Sequence, residues 1–595
     1  MREIWTVLTP TQRRRVIAAQ LLSILMAFST VVGIAAIAPF FSVLGNPHLI
    51  ERNAALNRMY TGLSFGSARD FEISLGLAFL GLVLIANIVN VIGAFVLSRL
   101  SLSIGADLQT SLLNEYLSRP YHFFSQAHRA LLANNVLHEA ARGANEVLQQ
   151  VFSLLSTLIT SLFIVVTVVL VNPLVAGALI LSLAGGYVVI YLAVRHRLHA
   201  AGEAQSALFA EQNKLLDETF SAIKEILVLN VQGFFGRLFE QRARQLSRSG
   251  AYIELVARTP RHLMECIAVF GLVGAALIAS RERGVGDWLG QLTFVGFAAY
   301  RLLPALHQLF ASLVKIRSGQ PSLLAVLPDL RSARAHPARP AASRWRDRPQ
   351  QAIALEKVSF QYETARGEVL NEISLSIPAG SAVGVVGPNG SGKTTLVDLI
   401  AGLLTADRGR VVIDGVALDE ANRAQWRSCV AYVPQNVCLL DASIEQNIAL
   451  GEAQIDRDRL LRAARLAQLE PIVLGLPQGY QQCIGDRGIR MSGGQRQRVG
   501  IARALYREAS VLILDEATSA QDGLSEQELL ATLLALRGRY TVILVAHRLS
   551  TTRACDLIFE LDRGRIAAYG SYEKLLQGSM SFKRLALGSL ATSGS

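Results

Sequence analysis

Residues 382–400 read AVGVVGPNGSGKTTLVDLI and pass from an apolar run, through a glycine-rich loop, into a helical pattern. A strand–loop–helix unit of this kind holds phosphate, because the glycines let backbone N–H groups face phosphate oxygens and the helix N-terminus favours negative charge. The lysine adds a positive charge, and the hydroxyl after it is a ligand for Mg²⁺. The predicted nucleotide-binding residues here are Gly387, Asn389, Gly390, Ser391, Gly392, Lys393, Thr394 and Thr395.

A second apolar run, VLILDEA at 511–517, ends in two carboxylates. Asp515 is expected to hold Mg²⁺, as in other phosphate-loop proteins. Glu516 is then placed to orient or deprotonate an attacking water. The alternative is a helix-capping acid pair, which the nearby phosphate loop disfavours. From residue 351 onward short β runs alternate with helices, so an α/β domain with a largely parallel sheet is predicted.

The part of the chain before this domain has a different composition. The 595 residues are 51% hydrophobic and 17% charged, and the apolar excess lies almost entirely before about residue 315. A soluble protein carries charge on about a quarter of its residues. Six apolar runs are long enough to cross about 30 Å of hydrocarbon; they lie near 16–43, 73–98, 149–171, 174–194, 262–280 and 289–313. The sequence therefore predicts an all-α membrane domain with six spans.

Between the spans, the stretches 99–148 and 195–261 are amphipathic and are expected to continue as helices into water. Arginines flank the ends assigned to the cytosol, and an even number of spans returns both termini to that side. The predicted location is a membrane, with both termini in the cytosol. This orientation explains the net charge of +12 better than a nucleic-acid partner does, since no basic stripe is interleaved with aromatics.

The predicted domain boundaries follow these changes in pattern. Residues 1–328 form the membrane domain, 329–350 form a linker rich in Pro, Ala and Arg, 351–580 form the α/β domain, and 581–595 form a tail. The five cysteines have no spacing typical of a metal site.

The sequence MSGGQ at 491–495 resembles the signature loop of ATP-binding cassette (ABC) proteins. Three further motifs, AYVPQN at 431–436, SAQD at 519–522 and VAHRLS at 545–550, complete the set of that family in its order. The resemblance covers 351–580 and implies ATP and Mg²⁺ as cofactors. Two departures are Met491 and Gln521, each in place of the usual leucine.

The resemblance also assigns roles to individual residues. Tyr362 would stack on adenine, Gln435 would contact Mg²⁺ and sense the membrane domain, and His547 would contact the γ-phosphate. Asp522 is included among the nucleotide-binding residues. The expected catalytic residues are then Glu516, His547 and Gln435, and the expected metal ligands are Thr394, Gln435 and Asp515.

In this family the signature loop binds the γ-phosphate held by a second cassette, so two cassettes enclose two ATP molecules. The signature residues here are Ser492, Gly493, Gly494 and Gln495. One cassette and six spans are half of that assembly. A C₂ homodimer satisfies the geometry because the contact is reciprocal; a heterodimer is the alternative.

The membrane half resembles exporter-type half transporters, in which short helices at the tips of the cytosolic extensions dock on the cassettes. The matching positions are near 118–130 and 217–228, although an ordinary amphipathic helix start also explains the first. The external loop 45–72, together with PRHLME (260–265) and AAYRLLP (298–304), resembles bacterial flippases for lipid-linked oligosaccharides. Leu49, Ala54, Leu56 and Tyr60 predict a short amphipathic helix in that loop.

Arg301 lies about 12 residues into the sixth span, or about 18 Å along the helix at 1.5 Å per residue. A charge at this depth costs several kcal/mol unless it meets water or a counter-charge. One hypothesis is that Arg261 and Arg301 line a cavity and pair with a lipid pyrophosphate. The alternatives are a structural pair with Glu265, or snorkelling to an interface.

These expectations combine into an ATP-driven flippase that moves a polyprenyl-diphosphate-linked oligosaccharide from the inner to the outer leaflet, with membrane lipid and the glycan as partners. The first alternative is an exporter of drugs, peptides or other lipids on the same scaffold. A soluble DNA-maintenance cassette would need a long coiled coil before the signature loop, where no sustained heptads occur. An ATP-gated channel or binding-only regulator is disfavoured by Glu516.

Overall fold

The computed structural model describes most of the chain as two compact units. One contains residues 1–119 and 126–338, and the other contains 120–125 and 339–595. The described residues are 2–35, 40, 43, 50, 54–62, 65, 67–171, 177, 180–282, 285–335, 348–362, 367–485, 488–517, 523–546 and 549–591.

The first unit is helical. Its long helices are α1 (Pro10–Ala35), α2 (Ala68–Ser118), α3 (Gln149–Val171), α4 (Gly185–Ser221), α5 (Gln232–Glu282) and α6 (Val285–Ala335). Each overlaps one of the six predicted spans. Shorter helices are Arg2–Val7, Ala54–Gly62, Arg129–Asn134, Ala140–Arg142 and Ile223–Val228, and π-helical turns occupy Asn135–Glu139, Gly143–Leu148 and Ile180–Ala184. The helix Ala54–Gly62 lies where the external loop predicted one.

The outward faces of this bundle are apolar. On α2, the side chains of Leu77, Leu84, Val91 and Phe95 are all more than 60% exposed. Exposed side chains of this kind are stable in contact with lipid and unfavourable in water. Two helices among the described residues, Ala68–Ser118 and Arg129–Val166, are long and apolar enough to cross a membrane by length and composition.

Polar contacts replace apolar ones where the helices extend beyond the predicted spans. Arg142 donates to Gln205 Oε1 at 2.8 Å, and Ser206 Oγ donates to Glu139 Oε2 at 2.9 Å. Ser206 also lies 3.1 Å from the Ser322 hydroxyl, so the segment before α3 is joined to α4 and α6. Buried polar groups are stable when they are bonded in this way.

The boundaries predicted for the linker and the tail were wrong. Helix α6 continues to Ala335, because Leu330 is buried and Asp329 accepts a 2.8 Å hydrogen bond from Tyr116. At the other end, Phe582 in the helix Met580–Ala591 is fully buried in the core of the second unit. Residues 329–335 therefore belong to the helical unit, and the α/β core extends past residue 580.

The second unit contains ten strands among its described residues: β1 (Ala352–Phe360), β2 (Leu370–Pro378), β3 (Ala382–Val386), β4 (Arg408–Ile413), β5 (Val416–Ala417), β6 (Val430–Val433), β7 (Val511–Asp515), β8 (Thr541–Val545), β9 (Leu557–Asp562) and β10 (Arg565–Gly570). The larger sheet has the order β10-β9-β3-β8-β7-β6 and is parallel except at β10. Strands β3, β7 and β8 are buried throughout, as expected for a sheet covered on both faces.

A separate antiparallel sheet has the order β2-β1-β4-β5. Helix α7 (Lys393–Ile400) follows β3, and helix α8 (Gly493–Tyr506) precedes β7. The other helices of this unit are Tyr121–Gln126, Arg423–Ser428, Ile444–Ile448, Arg457–Leu466, Glu470–Leu474, Gly523–Leu534, Tyr572–Gly578 and Met580–Ala591. Ligands of such folds bind at the carboxyl ends of the parallel strands, so a ligand site is expected at that edge of the larger sheet.

Candidate nucleotide site

The loop between β3 and α7 is folded as a phosphate-binding turn. Gly392 immediately precedes α7 with φ +99°, a conformation that side chains other than glycine rarely adopt. A Cβ at Gly387 would lie 2.2 Å from the carbonyl oxygen of Leu561. Both glycines are therefore required by the backbone path itself.

The lysine of this loop is held over the turn. Lys393 Nζ donates to the carbonyl oxygens of Gly387 at 2.9 Å and Pro388 at 3.1 Å. Burial lowers the pKa of Lys393, and the charges of Glu516 and Asp515 oppose that shift. Ser391 Oγ is buried and has no hydrogen-bond partner among the described residues. A lysine and an unpaired hydroxyl around one turn are suited to phosphate oxygens.

Asp515 lies at the end of β7, close to two groups that the sequence did not single out. Tyr432 Oη on β6 donates to Asp515 Oδ2 at 2.9 Å. Burial and then the Asp515 charge raise the pKa of Asp398, on α7, to about 7. A hydroxyl in an otherwise apolar strand was the available signal for Tyr432. The arrangement fixes one oxygen of Asp515 and leaves the other for a ligand.

The side chains of Glu516 and Gln435 are in direct contact. Gln435 Nε2 donates to Glu516 Oε2 at 2.6 Å. Glu516 has a φ of +50°, a region that costs a non-glycine residue energy and is found at functional sites. Its backbone N–H donates to Val545 O at 3.1 Å, at the end of β8. A carboxylate next to the phosphate loop can orient or deprotonate water.

Tyr362 is placed beside the same loop. Its hydroxyl lies 3.3 Å from Thr395 Oγ1, and its ring packs edge-on against Phe360 with centroids 4.9 Å apart. Thr394 and Asn389 are exposed at the mouth of the loop, whereas Thr395 is buried. An aromatic ring at this edge is available for stacking on a base.

The signature loop is a separate structure. Ser492 begins α8 with a capping box, in which its Oγ accepts from the Gln495 N–H and its own N–H donates to Gln495 Oε1. The first N–H groups of the helix remain available for an anion. Within the described part of the chain, no hydrogen bond or ion pair joins residues 492–495 to the phosphate loop.

Two predicted residues, Asp522 and His547, lie outside the described residues, as does Gln521. The side chain of Arg301 is likewise outside them. Arg261 on α5 is exposed, and its Nε donates to Glu265 Oε1 at 2.7 Å. Arg261 therefore forms the structural pair with Glu265 that was the alternative to pyrophosphate binding. Glu265 lies one helical turn further along α5.

One tip segment of the helical half is part of the second unit. Residues Pro120–Ser125, most of the helix Tyr121–Gln126, cluster with the α/β domain. Burial and then the charge of Asp398 raise the pKa of Tyr121. Residues 120–125 of the segment predicted near 118–130 therefore belong with the α/β unit, where the charge of Asp398 on α7 acts on Tyr121.

The fold and this site define a phosphate-loop ATPase domain joined to a helical membrane domain. Residues 15–298 match the family model described as ABC transporter transmembrane region, and residues 370–519 match the one described as ABC transporter. The chain is 31% identical over 506 residues to an ATP-dependent lipid A-core flippase of Cupriavidus pinatubonensis, covering 83% of this chain and 84% of that protein. The protein of the same name from Burkholderia pseudomallei is 30% identical, with 86% of each covered.

A solved structure, of a bacterial Atm1-family ABC exporter with ATP bound, matches 98% of both chains with a TM-score of 0.77 at 24% identity, which supports the fold. The chain belongs to the ABC transporter family. It is a multi-pass membrane exporter whose ATPase domain couples ATP hydrolysis to transport.

Proposed function

We propose that two copies of this chain flip a glycolipid with a diphosphate-linked glycan headgroup, specifically a polyprenyl-diphosphate-linked oligosaccharide, from the inner to the outer leaflet of the cytoplasmic membrane of a bacterium. Both termini are then cytosolic. The observation that carries the choice of lipid is Arg261, an exposed cation on a membrane-domain helix whose carboxylate partner is half-buried. A doubly charged diphosphate can compete for such a pair.

Two further features support a glycolipid. The related proteins that cover most of the chain are named lipid A-core flippases. The external helix Ala54–Gly62 packs its buried Leu56 and the ring of Tyr60 around Phe71, with Tyr60 and Phe71 centroids 5.5 Å apart. Its Met59 is 50% exposed, which suits contact with the lipid tail at the outer surface.

In the nucleotide site, ATP and Mg²⁺ are assigned to the residues of one cassette plus the signature loop of the other. Tyr362 would stack on adenine, and Lys393 and the loop glycines would hold the phosphates. Thr394, Gln435 and Asp515 would hold Mg²⁺, and Glu516 would act on water. Asp522 and His547 keep their sequence-based assignments to nucleotide and γ-phosphate. The signature loop of the second copy completes each site.

An apolar tip supports the homodimer. Around the helix Ile223–Val228, the side chains of Phe220, Leu227, Val228 and Leu229 are 56–78% exposed. This tip is the counterpart of the 120–125 segment, which clusters with the α/β domain of its own chain. We assign the exposed tip to the cassette of the second copy, because a contiguous apolar surface in water marks an interaction site.

The test is transport in liposomes that contain the purified full chain and a labelled lipid. We expect ATP-dependent movement of polyprenyl-diphosphate oligosaccharide between leaflets, which an Arg261→Ala variant loses while its basal ATPase is retained. Movement of lipid A-core instead would replace the assigned lipid with the one named for the relatives. Transport of peptides or drugs without movement of either glycolipid would favour the exporter alternative and contradict the proposal.

A further inference from the structure

A polar cavity of about 390 Å³ lies among helices α3, α4, α5 and α6 of the membrane unit. Its size falls in the range of about 300–1,000 Å³ that small-molecule sites occupy, but those sites are mostly apolar. Here amide and charged side chains dominate the wall: Asn145, Glu146, Gln149, Gln150, Gln205, Glu254 and Lys315. The Glu146 carboxylate is paired with Arg142 at 3.3 Å. The cavity is separate from Arg261 and from the nucleotide site.

The cavity lies at or just beyond the cytosolic ends of the predicted spans. Gln149 is the first residue of the third span, and Lys315 is two residues past the sixth. Glu254 and Gln205 lie on the cytosolic extensions that adjoin the fifth and fourth spans. The wall therefore begins in the headgroup zone, where about 30 Å of hydrocarbon ends, and reaches about 16 Å beyond it at Gln205, at 1.5 Å per residue. A lipid of the inner leaflet presents its headgroup here.

Several groups in the wall are free to bind a ligand. Asn145, Gln149 and Lys315 have side chains with no hydrogen-bond or ionic partner among the described residues. Gln205 uses only its carbonyl oxygen, toward Arg142, so its amide donors remain. Glu254 is already paired with Arg258. The free set is therefore amides, which both donate and accept, and one cation.

A polar path leads from the cavity toward Arg261. Glu254 and Arg261 are seven residues apart on α5, hence on the same face and about 10 Å apart along the axis. Gln308 lies seven residues before Lys315 on α6 and donates to Ser153 Oγ of α3 at 3.0 Å. Ser312 lies one turn before Lys315 and donates to Gln150 Oε1 at 3.3 Å.

We infer that this cavity binds sugar residues of the glycolipid headgroup while its diphosphate lies toward Arg261; this inference rests on the proposed function. Sugar hydroxyls donate and accept hydrogen bonds at once, which matches side-chain amides. Lys315 supplies a further donor to hydroxyl or carboxylate oxygens of the sugar. The depth of the cavity matches a headgroup that has not yet crossed the membrane.

The test compares two lipids on the full chain in nanodiscs: a polyprenyl diphosphate carrying a short oligosaccharide, and the same polyprenyl diphosphate without sugar. The readout is the lipid concentration that gives half-maximal ATPase stimulation. Gln149→Leu and Lys315→Met are expected to raise this concentration about tenfold for the sugar-bearing lipid. A tenfold change corresponds to about 1.4 kcal/mol of binding free energy. The value for the bare lipid should stay within twofold.

Two controls keep the result interpretable. Gln241→Leu makes the same exchange at an exposed position of α5 outside the cavity, and it should leave the half-maximal concentration of both lipids unchanged. Gln149→Asn keeps an amide, so its stimulation by the sugar-bearing lipid should stay close to that of the unsubstituted chain. The unfolding temperature shows whether Gln149→Leu folds poorly, and in that case Gln149→Asn still tests the site.

Equal shifts for both lipids, or no shift with either cavity variant, would overturn the sugar site while leaving the flippase intact. Stimulation by the free oligosaccharide at the same concentration as by the glycolipid would also overturn the headgroup assignment. If neither lipid stimulates or is flipped by the unsubstituted chain, the proposed function itself fails, and the sugar site with it.

Discussion

Glu516 is the residue on which hydrolysis depends most directly. It accepts from Gln435 at 2.6 Å and follows Asp515, the end of β7. Glu516→Gln keeps the size and the hydrogen bonding but cannot accept a proton. Since general bases contribute about 10²–10⁴-fold, we expect ATP turnover to fall at least 100-fold with ATP binding retained. Steady-state phosphate release and nucleotide binding measure this, and near-normal turnover would remove Glu516 from its assigned role.

Tyr432 offers a second test at the residue scale. Its hydroxyl donates to Asp515 Oδ2 at 2.9 Å, so Tyr432→Phe frees the carboxylate to rotate and misplaces the oxygen that would bind Mg²⁺. A bond to a charged group contributes about 1.5–3 kcal/mol, so the Mg²⁺ concentration for half-maximal ATPase should rise about tenfold or more. Saturating Mg²⁺ should restore much of the rate.

Tyr480→Phe is the matched control, because the buried Tyr480 hydroxyl has no partner among the described residues. It should leave the Mg²⁺ requirement unchanged. An unchanged requirement in Tyr432→Phe as well would mean that this hydrogen bond does not position Asp515.

At the scale of elements, two helices begin with the same capping box. Ser443 caps Ile444–Ile448 and Ser492 caps α8. Replacing either serine by alanine should cost about 1 kcal/mol of stability, seen as a lower unfolding temperature of the purified protein. Of the two variants, only Ser492→Ala should also lower the ATPase rate strongly, because the Ser492 loop is assigned to phosphate and the Ser443 loop is not. Equal ATPase losses in both variants would mean that Ser492 stabilises its helix and has no separate role at the phosphate.

The second tip helix makes a prediction about coupling. Val228 is 78% exposed at the end of Ile223–Val228. Val228→Glu places a charge in the proposed contact with the second cassette and should abolish lipid flipping while leaving the fold intact. Val416→Glu, at a 51% exposed position of β5, is the control and should flip lipid normally. Normal flipping by Val228→Glu would contradict the assigned contact.

Sequence reasoning reaches furthest where a short local pattern determines the backbone. The loop from Gly387 to Thr395 and the pair of Asp515 and Glu516 were predicted because strand, turn and helix follow each other directly. Tyr432 and Asp398 were missed, because their importance comes from neighbouring elements that converge on Asp515. The linker boundary failed for the same reason, since Leu330 is buried by distant helices rather than by local periodicity.

For the whole molecule, the division into two units explains how one chain combines lipid and nucleotide chemistry. The helical unit exposes apolar faces, whereas the α/β unit buries its central strands completely. Among the first 338 residues, the segment 120–125 clusters with the α/β unit.

We propose that each ATP is enclosed between the phosphate loop of one copy and the signature loop of the other. A mixed dimer distinguishes this arrangement, with Lys393→Ala in one copy and Gly493→Asp in the other, purified through two different tags. Reciprocal geometry places both defects in one site and leaves the second site intact, so ATPase should recover to about half of the unsubstituted rate while each parent homodimer stays inactive. A mixed dimer as inactive as its parents, or a purified monomer that hydrolyses ATP at the full rate, would show that the two loops do not share one ATP.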